Sequence, residues 1–208
     1  MVVKENVMAK IYAILTGDVV GSRKADIQKW LPVLEESLQH YSNNFDIFRG
    51  DSFQVAVSIE QCIEAIFLIK ATMRSIEPLD VRIGLGIGEI SYWDEHIKNS
   101  AGDALVRSGE AFDDLDKNLI NVRSPWREWD EPTNIMLQLA TELANRWTQN
   151  MAQTVAAQIR NPDANQSELA KILKRKYQSQ ISTELGNANW QKIKVTIDYC
   201  TKELIKRC

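Results

Sequence analysis

Two hydrophobic rhythms alternate along the chain, and their switch points mark the elements. Residues 10–16 (KIYAILT) form an apolar, β-branched run ending at Gly17-Asp18, which predicts a buried strand. Ile27, Trp30, Leu31, Leu34 and Leu38 then recur at helical spacing, predicting a helix from an Asp26 cap to about Tyr41. Pro32 suits a first turn, which would move that start later. Strand-like runs at 45–48 and 53–57 flank Arg49-Gly50-Asp51-Ser52 and predict a hairpin. Ser58, with Gln61 three residues on, has the spacing of a capping box for a helix over 59–75, and Pro78 lies beyond its end. Residues 81–90 (VRIGLGIGEI) predict another strand, with Gly84, Gly86 and Gly88 on one face. A face so bare admits a ligand or another backbone. A helix over 101–115 and a short strand over 119–122 follow. The order is β-α-β-β-α-β with a further α and β, the split arrangement of a ferredoxin-like sheet in the α+β class.

The rhythm is wholly helical afterwards. Residues 123–133 (RSPWREWDEPT) carry two prolines and two tryptophans and suggest an ordered connector. Residues 134–160 predict one long amphipathic helix stopped by Asn161-Pro162. Asn165 with Glu168 has capping-box spacing for a short helix buried through Leu169, Ala170 and Leu173. After Lys174-Arg175-Lys176-Tyr177, a second helix starts near Gln178, with Ile181 and Leu185 inward and Gly186 near its end. Trp190, Ile193, Ile197, Cys200, Leu204 and Ile205 continue at helical spacing and close a bundle, with Trp147 packing there. The expected division is an α/β domain over 1–130 and an all-α domain over 134–208.

Charge separates the same two regions. Residues 1–165 hold 16 Lys and Arg against 24 Asp and Glu, a net of −8; residues 166–208 hold nine against four, a net of +5. A basic tail on an acidic body suggests that the tail alone meets a polyanion; a chance cluster of solvated lysines is the alternative. No apolar run is long enough to span a bilayer, so no membrane partner is expected. Residues 1–10 lack the apolar core of a signal peptide. The three cysteines (Cys62, Cys200, Cys208) show no metal or disulfide spacing and read as reduced thiols in a cytoplasmic protein. His40 and His96 stand far apart on an expected helix surface and loop, which argues against histidine catalysis.

Two acids in the first region are candidates for chemistry. Asp18 ends the first strand and Asp51 sits at the hairpin tip; in the expected sheet their strands pair, bringing both carboxylates to one edge. Paired carboxylates repel unless a cation lies between them, and oxygen donors favour Mg²⁺ with phosphate oxygens completing its shell. The stretch after Asp18 (Gly21, Ser22, Arg23) offers backbone N–H groups, a hydroxyl and a guanidinium to a phosphate-bearing small molecule. Arg49, Gly84 and Gly86 are further candidates for that phosphate or nucleotide site. The alternative is that Asp18 and Asp51 are turn residues, since Gly-Asp is a common turn pair.

The set LTGDVVGSR, FRGDSF, VRIGLGIGEI and AGDALVRSGEAF resembles the SatD family of bacterial proteins over nearly the whole chain. More distantly, residues 10–122 are similar to the catalytic domain of class III nucleotidyl cyclases. That similarity implies metal ligation by Asp18 and Asp51, and a nucleotide beside the strand RIGLGIG. The cyclase pattern then calls for an Asn and an Arg that stabilise the transition state; here those places hold Val106 and Glu110, with Arg107 the nearby alternative cation. Loss of one such donor typically costs about 10²–10³ in rate. The resemblance therefore implies nucleotide and Mg²⁺ binding without efficient cyclisation, with a metal-dependent cyclase or related phosphotransferase as the alternative.

Residues 165–190 resemble the helix-turn-helix of bacterial regulators. They depart from it in lacking the usual turn glycine, whose place Lys174 holds, and in a turn one residue longer. On that resemblance Gln178, Ser179, Gln180, Ser182 and Thr183 face DNA bases, and Lys174, Arg175 and Lys176 meet phosphates. Such proteins commonly pair on two half-sites, so a homodimer is among the expectations. A small helical bundle that binds protein, or nothing, is the alternative. The expected protein is a ligand-sensing DNA-binding regulator.

Overall fold

A computed structural model describes residues 10–208. The reading of residues 1–10 as lacking a signal-peptide core falls, Lys10 apart, outside that range. Strand β1 (Ile11–Val20) is the centre of a five-stranded sheet of order β2-β3-β1-β4-β5. Strands β2 (Phe45–Phe48) and β3 (Ser52–Val57) form the expected hairpin. Its tip uses left-handed backbone at both Arg49 (φ 54°) and Gly50 (φ 91°), a twist that matches that of the flanking strands. Strand β4 (Asp80–Glu89) runs antiparallel to β1 on its other side, and β5 (Ile120–Arg123) lies parallel to β4.

The period of two in β1 divides the molecule. Ala13, Leu15 and Val19 point into the main core, while Ile14 belongs to a smaller cluster on the opposite face with Ala56, Ile97 and Ala104. Helices α1 (Ile27–Gln39) and α2 (Cys62–Arg74) contribute to the main core. Helix α3 (Asp103–Asp113) covers the other face over β4. Asp26 caps α1, accepting from the Gln28 nitrogen at 3.0 Å. That cap starts the helix five residues before Pro32, which lies inside it rather than in its first turn. Pro32 leaves the Gln28 carbonyl without its helical donor, and both residues are exposed, so water can replace the bond. Helix α2 starts at Cys62 rather than Ile59, because the Ser58 hydroxyl bonds the Gln61 side chain at 3.1 Å instead of capping a backbone N–H.

Helix α2 is buried almost all round, as a helix between two layers must be. Its far side packs on two of the C-terminal helices, α5 (Gln149–Arg160) and α8 (Trp190–Ile205). Helix α4 (Arg127–Ala144) lies against β5 and α8, and α6 (Gln166–Ile172) and α7 (Gln178–Asn187) lie against α5. The residues expected as a connector lie mostly within α4, which begins at Arg127 and accommodates Pro132. The single helix expected over 134–160 is two helices with an elbow at 145–148. Arg74 explains the break: its guanidinium donates to the carbonyl oxygens of Asn145 (2.8 Å) and Trp147 (2.9 Å), satisfying the end of α4. Thr148 then caps α5.

The same Arg74 pairs with Asp80 at 2.7 Å, and Asp80 also takes the fully buried Lys70 ammonium at 2.8 Å. Burial pulls the Lys70 pKa below its ordinary value, and the Asp80 carboxylate opposes that pull. The cluster ties α2, the start of β4 and the elbow together. One continuous core joins sheet residues such as Leu15 and Ile83 to Leu137, Val155, Ile193 and Leu204. The division expected between 130 and 134 therefore falls inside a helix and crosses a shared core. Within the helical half, α6, α7 and their neighbours keep a small core of their own, built on Ala157, Leu169, Ala170 and Ile181. The described chain is an α+β fold with a five-stranded sheet and eight α-helices.

Candidate functional site

The expected carboxylate edge exists. Asp18 stands opposite Ser52 on β3 and opposite Arg82 on β4. The Asp51 carbonyl accepts from the Val19 nitrogen at 3.0 Å, and its carboxylate accepts the Ser22 hydroxyl at 2.6 Å. Gly21 turns the chain out of β1 with φ 82°, and a Cβ there would lie 2.9 Å from the Pro78 carbonyl oxygen, so the position suits only glycine. Ser22–Lys24 follows as one short 3₁₀ turn. Asp18, Gly21, Ser22, Arg23, Lys24, Asp51 and Arg82 together line an open pocket of about 460 Å³. Arg49, at the hairpin tip, is not part of that lining.

Arg82 is the site residue that the sequence reading missed. Its Nε donates to one Asp18 oxygen at 2.9 Å and its Nη2 to the other, a two-pronged pair. The Phe112 ring lies 5.4 Å from the guanidinium and helps to hold it. The hydrogen bond to Asp18 raises the Arg82 pKa above its ordinary value; partial burial pulls the other way, and the charges of Asp18 and Asp51 add to the rise. The signal was available: Arg82 shares the glycine face of β4 by simple alternation.

This donor set does not fit Mg²⁺. Both Asp18 oxygens are committed to Arg82, and Asp51 already accepts from Ser22. Magnesium needs near-octahedral oxygen ligands, and a guanidinium directly on one carboxylate repels it. Among the described residues, no group of three or more His, Cys, Asp or Glu is placed to hold a metal ion.

The glycine stripe has a different occupant from the one expected. A Cβ on Gly84 would lie 2.6 Å from the Ser108 carbonyl oxygen, and one on Gly88 would lie 2.9 Å from the Ala104 nitrogen; at Gly86 the clash with Ala104 and Ser108 backbone is closer still. The backbone of α3 fills the space, so Gly84 and Gly86 serve helix–strand packing and are closed to a nucleotide. The positions that the cyclase pattern reserves for transition-state groups do not converge on the carboxylates either. Val106 is exposed, and Glu110 pairs with Arg123 at 2.9 Å. Arg107 donates to the Ile87 carbonyl and to Asp103, each at 2.9 Å, and lines a separate cavity with Glu110, Arg123 and Asp130.

At the other end of the molecule, α6 opens with the expected capping box: Asn165 accepts from the Ser167 and Glu168 nitrogens, and Glu168 accepts from the Asn165 nitrogen. Ala170 and Ile181 are buried where α6 and α7 meet. Lys174 takes φ 53°, the left-handed geometry that a turn glycine would supply. The Arg175 nitrogen then closes the turn on the Ala170 carbonyl at 2.8 Å.

The expected DNA-facing residues sort into two sets. Arg175 is not a free phosphate contact. Its guanidinium is turned inward to Glu184 (3.3 Å), Asn150 (3.1 Å) and Gln153 (3.2 Å), fixing α7 to α5. Gln180 caps its own helix, accepting from the Tyr177 nitrogen at 3.1 Å, and Gln178 meets Gln166. Lys174, Lys176, Ser179, Ser182 and Thr183 are exposed, and their side chains make no hydrogen bond or ion pair among the described residues. Among the described residues, no helix is long and apolar enough to cross a membrane. The three cysteines are free.

No family model matches the chain, and neither the curated proteins nor the solved structures contain a significant match to it.

Proposed function

We propose that this protein is a DNA-binding regulator in which α6 and α7 act as a helix-turn-helix and the sheet half senses a phosphate-bearing ligand. The observation that carries the reading is the surface of α7. Ser179, Ser182 and Thr183 are held on a helix pinned from behind by Arg175 and Glu184, with Lys174 and Lys176 exposed beside it, the latter over the Tyr177 ring at 5.1 Å. Short hydroxyl side chains read several base edges, and flanking lysines meet phosphates. The strand order β2-β3-β1-β4, with α1 and α2 both contributing to one core, supports a ferredoxin-like reading of the sheet half. Its pocket gathers Arg23, Lys24 and Arg82, cations suited to a phosphate group.

A physical route joins the two halves. Gly21, in the pocket wall, packs against Pro78. Asp80, two residues later, is bound through Arg74 to the elbow between α4 and α5. Helix α5 carries α7 through Asn150, Gln153 and a Thr154–Glu184 hydrogen bond. A ligand that displaces the 21–24 turn would press on this route.

The test is selection of duplexes from a randomised DNA pool by the purified full chain. Enrichment of a defined motif, altered by Ser182→Ala and Thr183→Ala, supports the reading; recovery of unenriched pool sequence at low salt would overturn it.

A further inference from the structure

We infer that Arg82 is a built-in counter-ion standing in the place of a divalent cation, so that the pocket takes a phosphate group directly and without metal. Two carboxylates lining one pocket call for a cation, and a guanidinium fork supplies one that is fixed to the sheet and cannot be chelated away. Arg82 meets both demands of the position. It closes on Asp18 with two donors and feels the charge of Asp51 as well. Its side chain is still 44% exposed, so its outer edge faces the pocket.

The charge of the lining points to the ligand. Asp18 and Asp51 are outnumbered by Arg23, Lys24 and Arg82, which leaves one positive charge in excess before any ion binds. A divalent cation would add two more against that excess; a phosphate group cancels it. A phosphate offers the guanidinium the same two-pronged geometry that the carboxylate does. The choice of phosphate rests on the proposed function above, whereas the counter-ion role stands on the Asp18–Arg82 pair by itself.

The two parts are tested separately on the full chain. Mn²⁺ binding, followed by the loss of its free-ion resonance signal, is measured for wild type, Arg82→Met, and Arg82→Met with Asp51→Asn. Arg82→Lys, which keeps the charge, checks the fold and the charge effect. Wild type and Arg82→Lys should bind Mn²⁺ at least about tenfold more weakly than Arg82→Met, a difference of about 1.4 kcal/mol. The gain should vanish on Asp51→Asn. Wild-type Mn²⁺ binding as tight as that of Arg82→Met, or no gain in folded Arg82→Met, would overturn the counter-ion role. In a second arm, pyrophosphate is titrated by calorimetry in the presence of a chelator. Metal-free binding weakened at least about tenfold in Arg82→Met supports the anion site. Absence of pyrophosphate binding, with the Mn²⁺ results as expected, would overturn the phosphate reading and leave Arg82 a structural counter-ion.

Discussion

The pocket at the end of β1 and the outer surface of α7 are both polar, yet their side chains are committed in opposite ways. In the pocket both acids are already partnered: Arg82 closes on Asp18, and the Ser22 hydroxyl donates to Asp51. On α7 the charged pair, Arg175 with Glu184, is turned inward, and the outward positions are short hydroxyls with lysines beside them. A ligand entering the pocket finds Arg23 and Lys24 open, but must exchange partners with Arg82, which is already paired to Asp18. A duplex meeting α7 replaces only water. The first arrangement favours selectivity and a response to occupancy; the second suits a surface whose affinity is set by phosphate contacts and ionic strength.

The contrast has content only if the two regions belong to one folded body. Asp80→Ala, which strands Lys70 as a buried unpaired ammonium, should have the largest effect, about 3–5 kcal/mol of lost stability. Urea unfolding should report it as one transition by both circular dichroism and tryptophan fluorescence. Two separate transitions, with only one shifted, would mean that the halves fold independently. Next in size, Gly86→Ala forces a methyl group into the α3 backbone and should cost about 1–3 kcal/mol. At about 2–4 °C per kcal/mol for a chain of this size, the melting midpoint should fall measurably. An unshifted midpoint would reopen the glycine face to a ligand.

On α7, Ser182→Ala and Thr183→Ala should leave stability within about 0.5 kcal/mol of wild type, as surface changes do. Each should relax preference at one base position by up to about 1–3 kcal/mol, read by competition binding. The smallest expected change is chemical. Burial pushes the Cys200 thiol up to about 11 and raises that of Cys62 as well, which leaves little thiolate at neutral pH. A disulfide reagent should therefore modify one thiol quickly in the native protein, the exposed Cys208. Three fast thiols would show that α8 does not stay docked.

The strands were legible as short runs rich in apolar and β-branched residues between turn signals, and α6 and α7 through a capping box and two buried positions. The sequence also identified Asp18, Gly21, Ser22, Arg23 and Asp51, which the fold does gather around one pocket. What it did not reveal depends on contacts between residues distant in the chain. The elbow at 145–148 is set by Arg74, some seventy residues earlier. Arg82 reads as a strand residue until β4 is laid beside β1. The glycines at 84 and 86 announced a close approach, but their spacing does not distinguish a helix backbone from a nucleotide. Arg175 sits in a basic run and was read as a phosphate contact, because Glu184 becomes its partner only once α7 folds back on α5.

The measurement that bears most directly on the central claim is the salt dependence of duplex DNA binding, compared between wild type and Lys174→Ala/Lys176→Ala. Each lost phosphate contact should reduce the slope of log affinity against log salt by about 1. The account predicts a steep wild-type slope, reduced by about 2 in the double variant, with sequence preference retained. A wild-type affinity indifferent to salt, or a slope unchanged by removing both lysines, would contradict the assignment of α7 and its flanking turn as the DNA-binding surface.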